Sequence, residues 1–70
     1  MKDREFLLGV LWAVWWLHYG HGEDRYAEDI LIETVGASER GIDQMQQLAR
    51  REQYGFKRGF WAKVRRRAAA

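Results

Sequence analysis

Two imidazoles and two carboxylates stand within seven residues of this 70-residue chain, in the run His18-Tyr19-Gly20-His21-Gly22-Glu23-Asp24. Donors of these kinds can hold zinc or nickel. The spacing is not that of an established metal site: His18 belongs to a helix end and His21 to a glycine loop. We therefore read His18 as capping the helix C-terminus, where an imidazolium is favourable, read His21 as solvated, and expect no metal and no other cofactor. Other catalytic machinery is sparse. There is no cysteine, no glycine-rich phosphate loop, and Ser38 is the single serine, so nucleophile and phosphate-cradle signatures are missing. The pairs Glu23/Asp24 and Glu28/Asp29 are expected on an outward helical face, where carboxylates are usually solvated. These residue types point away from an enzyme.

A second stretch, YGFKRGFWAKVRRR, interleaves Tyr54, Phe56, Phe60 and Trp61 with Lys57, Arg58, Lys63, Arg65, Arg66 and Arg67. Aromatic rings among cations suit single-stranded nucleic acid or nucleotides through stacking and charge, and also an anionic membrane surface. Phe56, Phe60 and Val64 also recur every four residues, which suits closing a core. The charge pattern is strongly segregated. Residues 1–49 carry four basic and nine acidic side chains, net −5, whereas residues 50–67 carry eight basic against Glu52 alone, net +7. Such asymmetry implies either a basic arm for an anionic partner or two halves that attract one another, within a chain or between chains.

The elements that must position these groups are helices. Proline is absent, so nothing forbids long helical runs, and apolar residues recur at three and four with glycines between the periodic segments. The spacing predicts a first helix from about Asp3, as N-cap or first-turn acid, to Tyr19, with Gly20 supplying a left-handed end. A second helix follows Glu23 and Asp24, with Tyr26, Ala27, Ile30, Leu31 and Val35 on its buried face and Arg25, Glu28, Asp29 and Glu33 outside. Gly36 ends it. Ser38 caps a third helix that buries Ile42, Met45, Leu48 and Ala49 and exposes Arg40, Asp43, Gln44, Gln47 and Arg51. Tyr54-Gly55 marks a break before a short basic-aromatic helix. The expected fold is all-α, a small three- to four-helix bundle completed by homo-oligomerisation, with residues 1–64 as one domain and 65–70 as a basic tail that frays.

The expectation of an oligomer comes from the first helix. On a helical wheel Phe6, Val10, Ala13 and Leu17 form one stripe; Leu7, Leu11, Val14 and His18 a second; Trp12, Trp15, Trp16 and Tyr19 a third. Two amphipathic neighbours can cover about two thirds of that circumference. If the aromatic stripe is left over, four rings of about 150–250 Å² each leave roughly 600–1,000 Å², more than the 300–600 Å² of the largest patch on an ordinary monomer. Trp12, Trp15, Trp16 and Tyr19 are therefore the expected partner or oligomer interface, a dimer first of all. The apolar run is shorter than the about 20 residues that cross a bilayer, and Asp3 and Glu5 cancel the Lys2 and Arg4 charges that a signal peptide would need. We expect a cytoplasmic chain with no membrane span.

Three likenesses bear on function. The run WAVWWLHYGHGEDRYAEDIL is similar to the helical N-terminal segment of bacterial ribosomal-protein glutamine methyltransferases; it covers under a third of the chain, and no cofactor fold or catalytic motif accompanies it. LIETVGASERGIDQM, residues 31–45, resembles the helix-turn-helix fingerprint at Val35, Gly36, Ser38, Ile42 and Met45. It departs at Ile32, where that family usually has alanine so that the helices can cross closely, and at Gly41, which weakens the second helix. That likeness implies base reading by Arg40, Gln44 and Gln47 with phosphate contacts from residues 50–67; against it, a helix hairpin capped by Gly36 and Ser38 is the plainer reading. In size and make-up the chain also looks like the small inhibitors encoded by phages and mobile elements, anti-CRISPR and other anti-defence proteins among them. The leading expectation is a non-enzymatic module that binds a macromolecular partner through aromatic and basic surfaces. A dimeric DNA-binding regulator comes second, and third an oligomeric binder of an anionic, nucleotide-type ligand using Arg58, Trp61 and Arg65. Arg40, Gln44, Gln47, Arg51, Lys57, Arg58, Trp61, Lys63, Arg65 and Arg66 are the candidate anion or nucleic-acid contacts.

Overall fold

The computed structural model describes residues 3–70; Lys2, part of the leading charge pattern, lies outside them. Four α-helices follow one another: α1 Arg4–Trp15, α2 Asp24–Val35, α3 Glu39–Arg51 and α4 Phe60–Ala69. A π-helical turn, Trp16–Gly20, extends α1. Among the described residues there is no strand, and no helix is long and apolar enough to cross a membrane.

The helix starts follow the capping chemistry. Asp3 Oδ1 accepts the Phe6 N–H at 2.8 Å, and Ser38 Oγ accepts the Gly41 N–H at 3.2 Å, each satisfying a first-turn donor that has no intrahelical acceptor. Gly36 closes α2 in the left-handed conformation at φ 63°. The end of α1 differs from expectation. Gly20 stays inside the π turn, the Glu23 N–H reaches back to the Leu17 carbonyl at 2.8 Å, and it is Gly22 that turns left-handed at φ 66°. A wider turn repeats over too few residues to leave a period in the sequence, and such turns often mark functional positions.

The core is one cluster: Leu11 and Val14 of α1, Ala27 and Leu31 of α2, Ile42, Met45, Leu48 and Ala49 of α3, Phe60 and Val64 of α4. The buried side of α1 is thus the Leu7-Leu11-Val14-His18 stripe. Principal extents of 29 × 27 × 17 Å leave depth for two helix layers, each about 10 Å across. One side of α1 must therefore face outward.

Helix α2 sits at a different rotation from the one its apolar residues suggest. Tyr26 is 62% exposed and Ile30 lies outside, while Glu28 is 1% exposed. The reason is electrostatic: Arg67 Nη1 lies 2.8 Å from Glu28 Oε1 and Lys63 Nζ 3.8 Å from Oε2. The same pairing replaces the frayed tail expected at 65–70, because α4 continues to Ala69 with Arg65 and Arg67 tied to α3 and α2.

Gly41 has a use that its poor helix propensity hides. A Cβ built there would stand 2.6 Å from Val35 Cβ, so α2 and α3 cross too closely for any side chain at this point. Gly41→Ala tests this by sign. Propensity alone would stabilise by about 1 kcal/mol; we expect instead a net loss of about 1–3 kcal/mol from overpacking, read from the urea unfolding midpoint.

A candidate partner-binding surface

Trp12 and Trp16, four residues apart, present their rings side by side, with centroids 5.9 Å apart and planes 9° from parallel. They are 50% and 44% exposed. The His21 ring meets the Trp16 indole edge-on at 4.1 Å, so His21, exposed as expected, also flanks the aromatic face. Tyr19, 55% exposed, stacks on Trp15 at 6.2 Å, and Trp15 in turn packs against Tyr54 at 5.6 Å. Three of the four expected interface rings remain on the surface, while the half-buried Trp15 is covered by the chain itself. At half exposure Trp12, Trp16 and Tyr19 leave roughly 75–125 Å² each, which keeps the patch inside the range of an ordinary monomer. Area therefore does not demand a second copy, and the distinction of this face lies in its composition.

The imidazole behind the aromatic face does not act as an exposed cap. His18 is 2% exposed. Its Nδ1 lies 2.7 Å from Asp24 Oδ1, and its Nε2 accepts the Lys57 backbone N–H at 3.0 Å. An Nε2 that accepts from a backbone donor carries no proton, so Nδ1 holds the ring proton and donates it to Asp24. Phe56 and Phe60 flank the ring at 5.3 and 4.5 Å, and they stack on each other at 4.5 Å. His18 thereby joins the end of α1, the start of α2 and the 52–59 loop. Both nitrogens are engaged, and no metal-holding group of three histidine, cysteine or acidic side chains exists among the described residues.

The basic segment divides into paired and unpaired cations. Arg65 donates to Asp43 and, at 2.6 Å, to Gln46 Oε1; Arg67 bridges Glu28 and Asp29. The hydrogen bonds that Arg67 donates to Glu28 first and Asp29 second hold its guanidinium above its usual pKa range. Because that shift is upward, the stability it reflects is complete below the ordinary guanidinium value and is lost only on raising the pH beyond it, so the clasp is indifferent to moderate alkali. Among the described residues Arg50, Arg51, Lys57, Arg58 and Arg66 make no ion pair. Lys57 Nζ stands 5.8 Å over the Tyr19 ring, which joins the cationic surface to the aromatic one.

The other candidates are dispersed. Arg40, Gln44, Gln47 and Arg51 are exposed on α3; Gln44, Gln47 and Arg51 border a shallow depression of about 410 Å³ against Arg4 and Leu7. Arg58, Trp61 and Arg65 do not converge on one site. Trp61 packs on Phe56 and Phe60, each at 5.2 Å, and borders a hollow with Arg50 and Tyr54, whereas Arg65 lies on α3. No family model, curated protein or solved structure matches the chain. Its reading rests on its own residues. Glu28 and Asp24 are the polar groups that periodicity misplaces or undervalues; the one signal for Glu28 is the charge segregation, which allowed the acidic and basic halves to attract one another as one of two readings, and Asp24 pairs instead with His18.

Two variants test these buried groups. His18→Ala should lower stability by about 2–4 kcal/mol, through the cavity and the Lys57 N–H left without its acceptor, and should raise hydrogen exchange at Lys57 above that of the α3 core. Arg67→Ala strands a buried carboxylate, so the urea midpoint should fall, and adding Glu28→Gln to it should restore part of the loss. If the second change deepens the loss additively, the pair is not coupled.

Proposed function

We propose that the chain is a small non-enzymatic helical interaction protein. Its Trp12, Trp16 and Tyr19 face anchors on a macromolecular partner, and the neighbouring Lys57 meets acidic groups around that contact. The observation that carries the reading is the stacked, half-exposed Trp12–Trp16 pair on α1 and the π turn that extends it. Tryptophan, tyrosine and arginine dominate the energetic centres of protein interfaces, and two rings already fixed by stacking lose little freedom on docking. In the absence of the partner the same face would pair with a second copy. A protein of this size that works by occupying a surface fits the manner of phage and mobile-element inhibitors directed at host complexes that handle nucleic acid or defence.

A DNA-reading role is the second proposal, favoured by the close α2–α3 crossing at Gly41 and by exposed Arg40, Gln44 and Gln47 on α3. Against it, Arg65, Arg67 and Lys63 are already engaged with the chain's own carboxylates, which removes cations from any phosphate contact.

The variant Trp12→Ser/Trp16→Ser should keep its helical circular dichroism and cooperative unfolding. It should bind a protein captured from host lysate roughly thirtyfold more weakly or worse, the equivalent of the about 2 kcal/mol that marks an anchor residue. Undiminished capture, or binding to duplex DNA that is sequence-selective and untouched by the two substitutions, would overturn the first reading.

A further inference from the structure

Away from the aromatic face, a depression of about 370 Å³ opens at the start of α4. Lys57, Arg58, Lys63 and Arg66 line it together with Asp24 and Glu28. Of the four cations only Lys63 approaches a described carboxylate, and it shares Glu28 with Arg67, whereas Lys57, Arg58 and Arg66 make no ion pair among the described residues. Gly59 and Phe60 form the rim where α4 begins, without a side-chain cap on its first turn; the Phe60 N–H is taken by the Lys57 carbonyl at 3.1 Å and the Lys63 N–H by the Gly59 carbonyl at 3.0 Å, which leaves the Trp61 and Ala62 N–H groups as the first-turn donors that favour negative charge. The second feature is a single atom. Glu28 is almost wholly buried, its Oε1 is bonded by Arg67, and its Oε2 has no hydrogen-bond partner, with Lys63 Nζ 3.8 Å away. A buried acceptor without a donor is costly, and here it borders a concave, cation-lined space.

We infer that this depression is a binding site for a phosphate group that keeps a hydroxyl. Arg58 and Arg66 supply charge-assisted donors to its ionised oxygens, the first turn of α4 adds backbone donors, and the P–OH donates to Glu28 Oε2. The same carboxylate oxygen repels an oxyanion that has no proton to give. Sulfate and a phosphodiester are therefore excluded, while hydrogen phosphate and a protonated phosphomonoester are accepted. The site shares Lys57 with the rim of the aromatic surface, where its ammonium stands over Tyr19, but its phosphate donors Arg58 and Arg66 lie outside the proposed partner contact.

The test is an amide-resolved NMR titration of the intact chain with sodium phosphate, methyl phosphate, dimethyl phosphate and sodium sulfate at fixed ionic strength. Saturable shifts should centre on Gly59, Phe60 and Trp61, with sulfate and dimethyl phosphate about tenfold weaker than phosphate or worse. Methyl phosphate binding as well as phosphate would assign the site to the end of a phosphorylated molecule, and weaker binding would assign it to the free ion; either upholds it. Arg58→Ala/Arg66→Ala removes two exposed cations without an ion pair, so it should fold normally and lose phosphate binding by about tenfold or more. Glu28→Gln, if it folds, should narrow the preference for phosphate over sulfate, because its amide can donate. Equal binding of phosphate and sulfate by the unaltered chain, shifts scattered away from Gly59–Trp61, or unchanged binding by the double variant would overturn the inference.

Discussion

Glu28 occupies the middle of α2, inside a chain too short to bury a carboxylate cheaply. An isolated buried carboxylate in a protein interior costs several kcal/mol. It can remain there because Arg67 reaches it from 39 residues further along, with Lys63 one helical turn before. That requirement sets the rotation of α2, and the rotation puts Tyr26 and Ile30 outside. It also holds α4 against α2 and keeps the helix intact through Arg67. Replacing such a pair with apolar residues often costs no stability, so what the pair contributes is selection of one arrangement among several that an amphipathic helix would otherwise permit.

His18 plays a comparable part at the other end of the molecule. One ring ties α1, the start of α2 and the loop before α4 together through two hydrogen bonds and two phenylalanine faces. With no disulfide available and a core built from ten buried residues, a molecule this small needs such ties between elements. Both ties are polar and buried, and both connect segments far apart in the chain. As a result the cations are partitioned: Arg65 and Arg67 are taken up by the chain's own acids, of which Glu28 alone is buried, while Lys57, Arg58 and Arg66 stay without an ion pair, Lys57 over the Tyr19 ring.

The functional reading follows from that partition more than from any single motif. A face with stacked indoles, bordered by a lysine over a tyrosine, has the composition of an interface centre. The cationic hollow at α4 has the composition of an anion site.

Local chemistry was legible in the chain itself. The caps Asp3 and Ser38, the left-handed Gly36, the α3 stripe Ile42-Met45-Leu48-Ala49 and the outward position of Trp12 and Trp16 all depend on neighbours three or four residues away, and periodicity reports such neighbours. The π turn at Trp16–Gly20, the burial of Glu28, the two-sided bonding of His18 and the need for glycine at position 41 depend on groups brought from elsewhere: Asp24 and Lys57, Lys63 and Arg67, Val35. Charge segregation left open whether the basic segment would meet the acidic half or an outside anion, because Coulomb attraction is long-ranged and unspecific about partners. Only packing at contact distance decides which carboxylate is enclosed and which cations remain for something else.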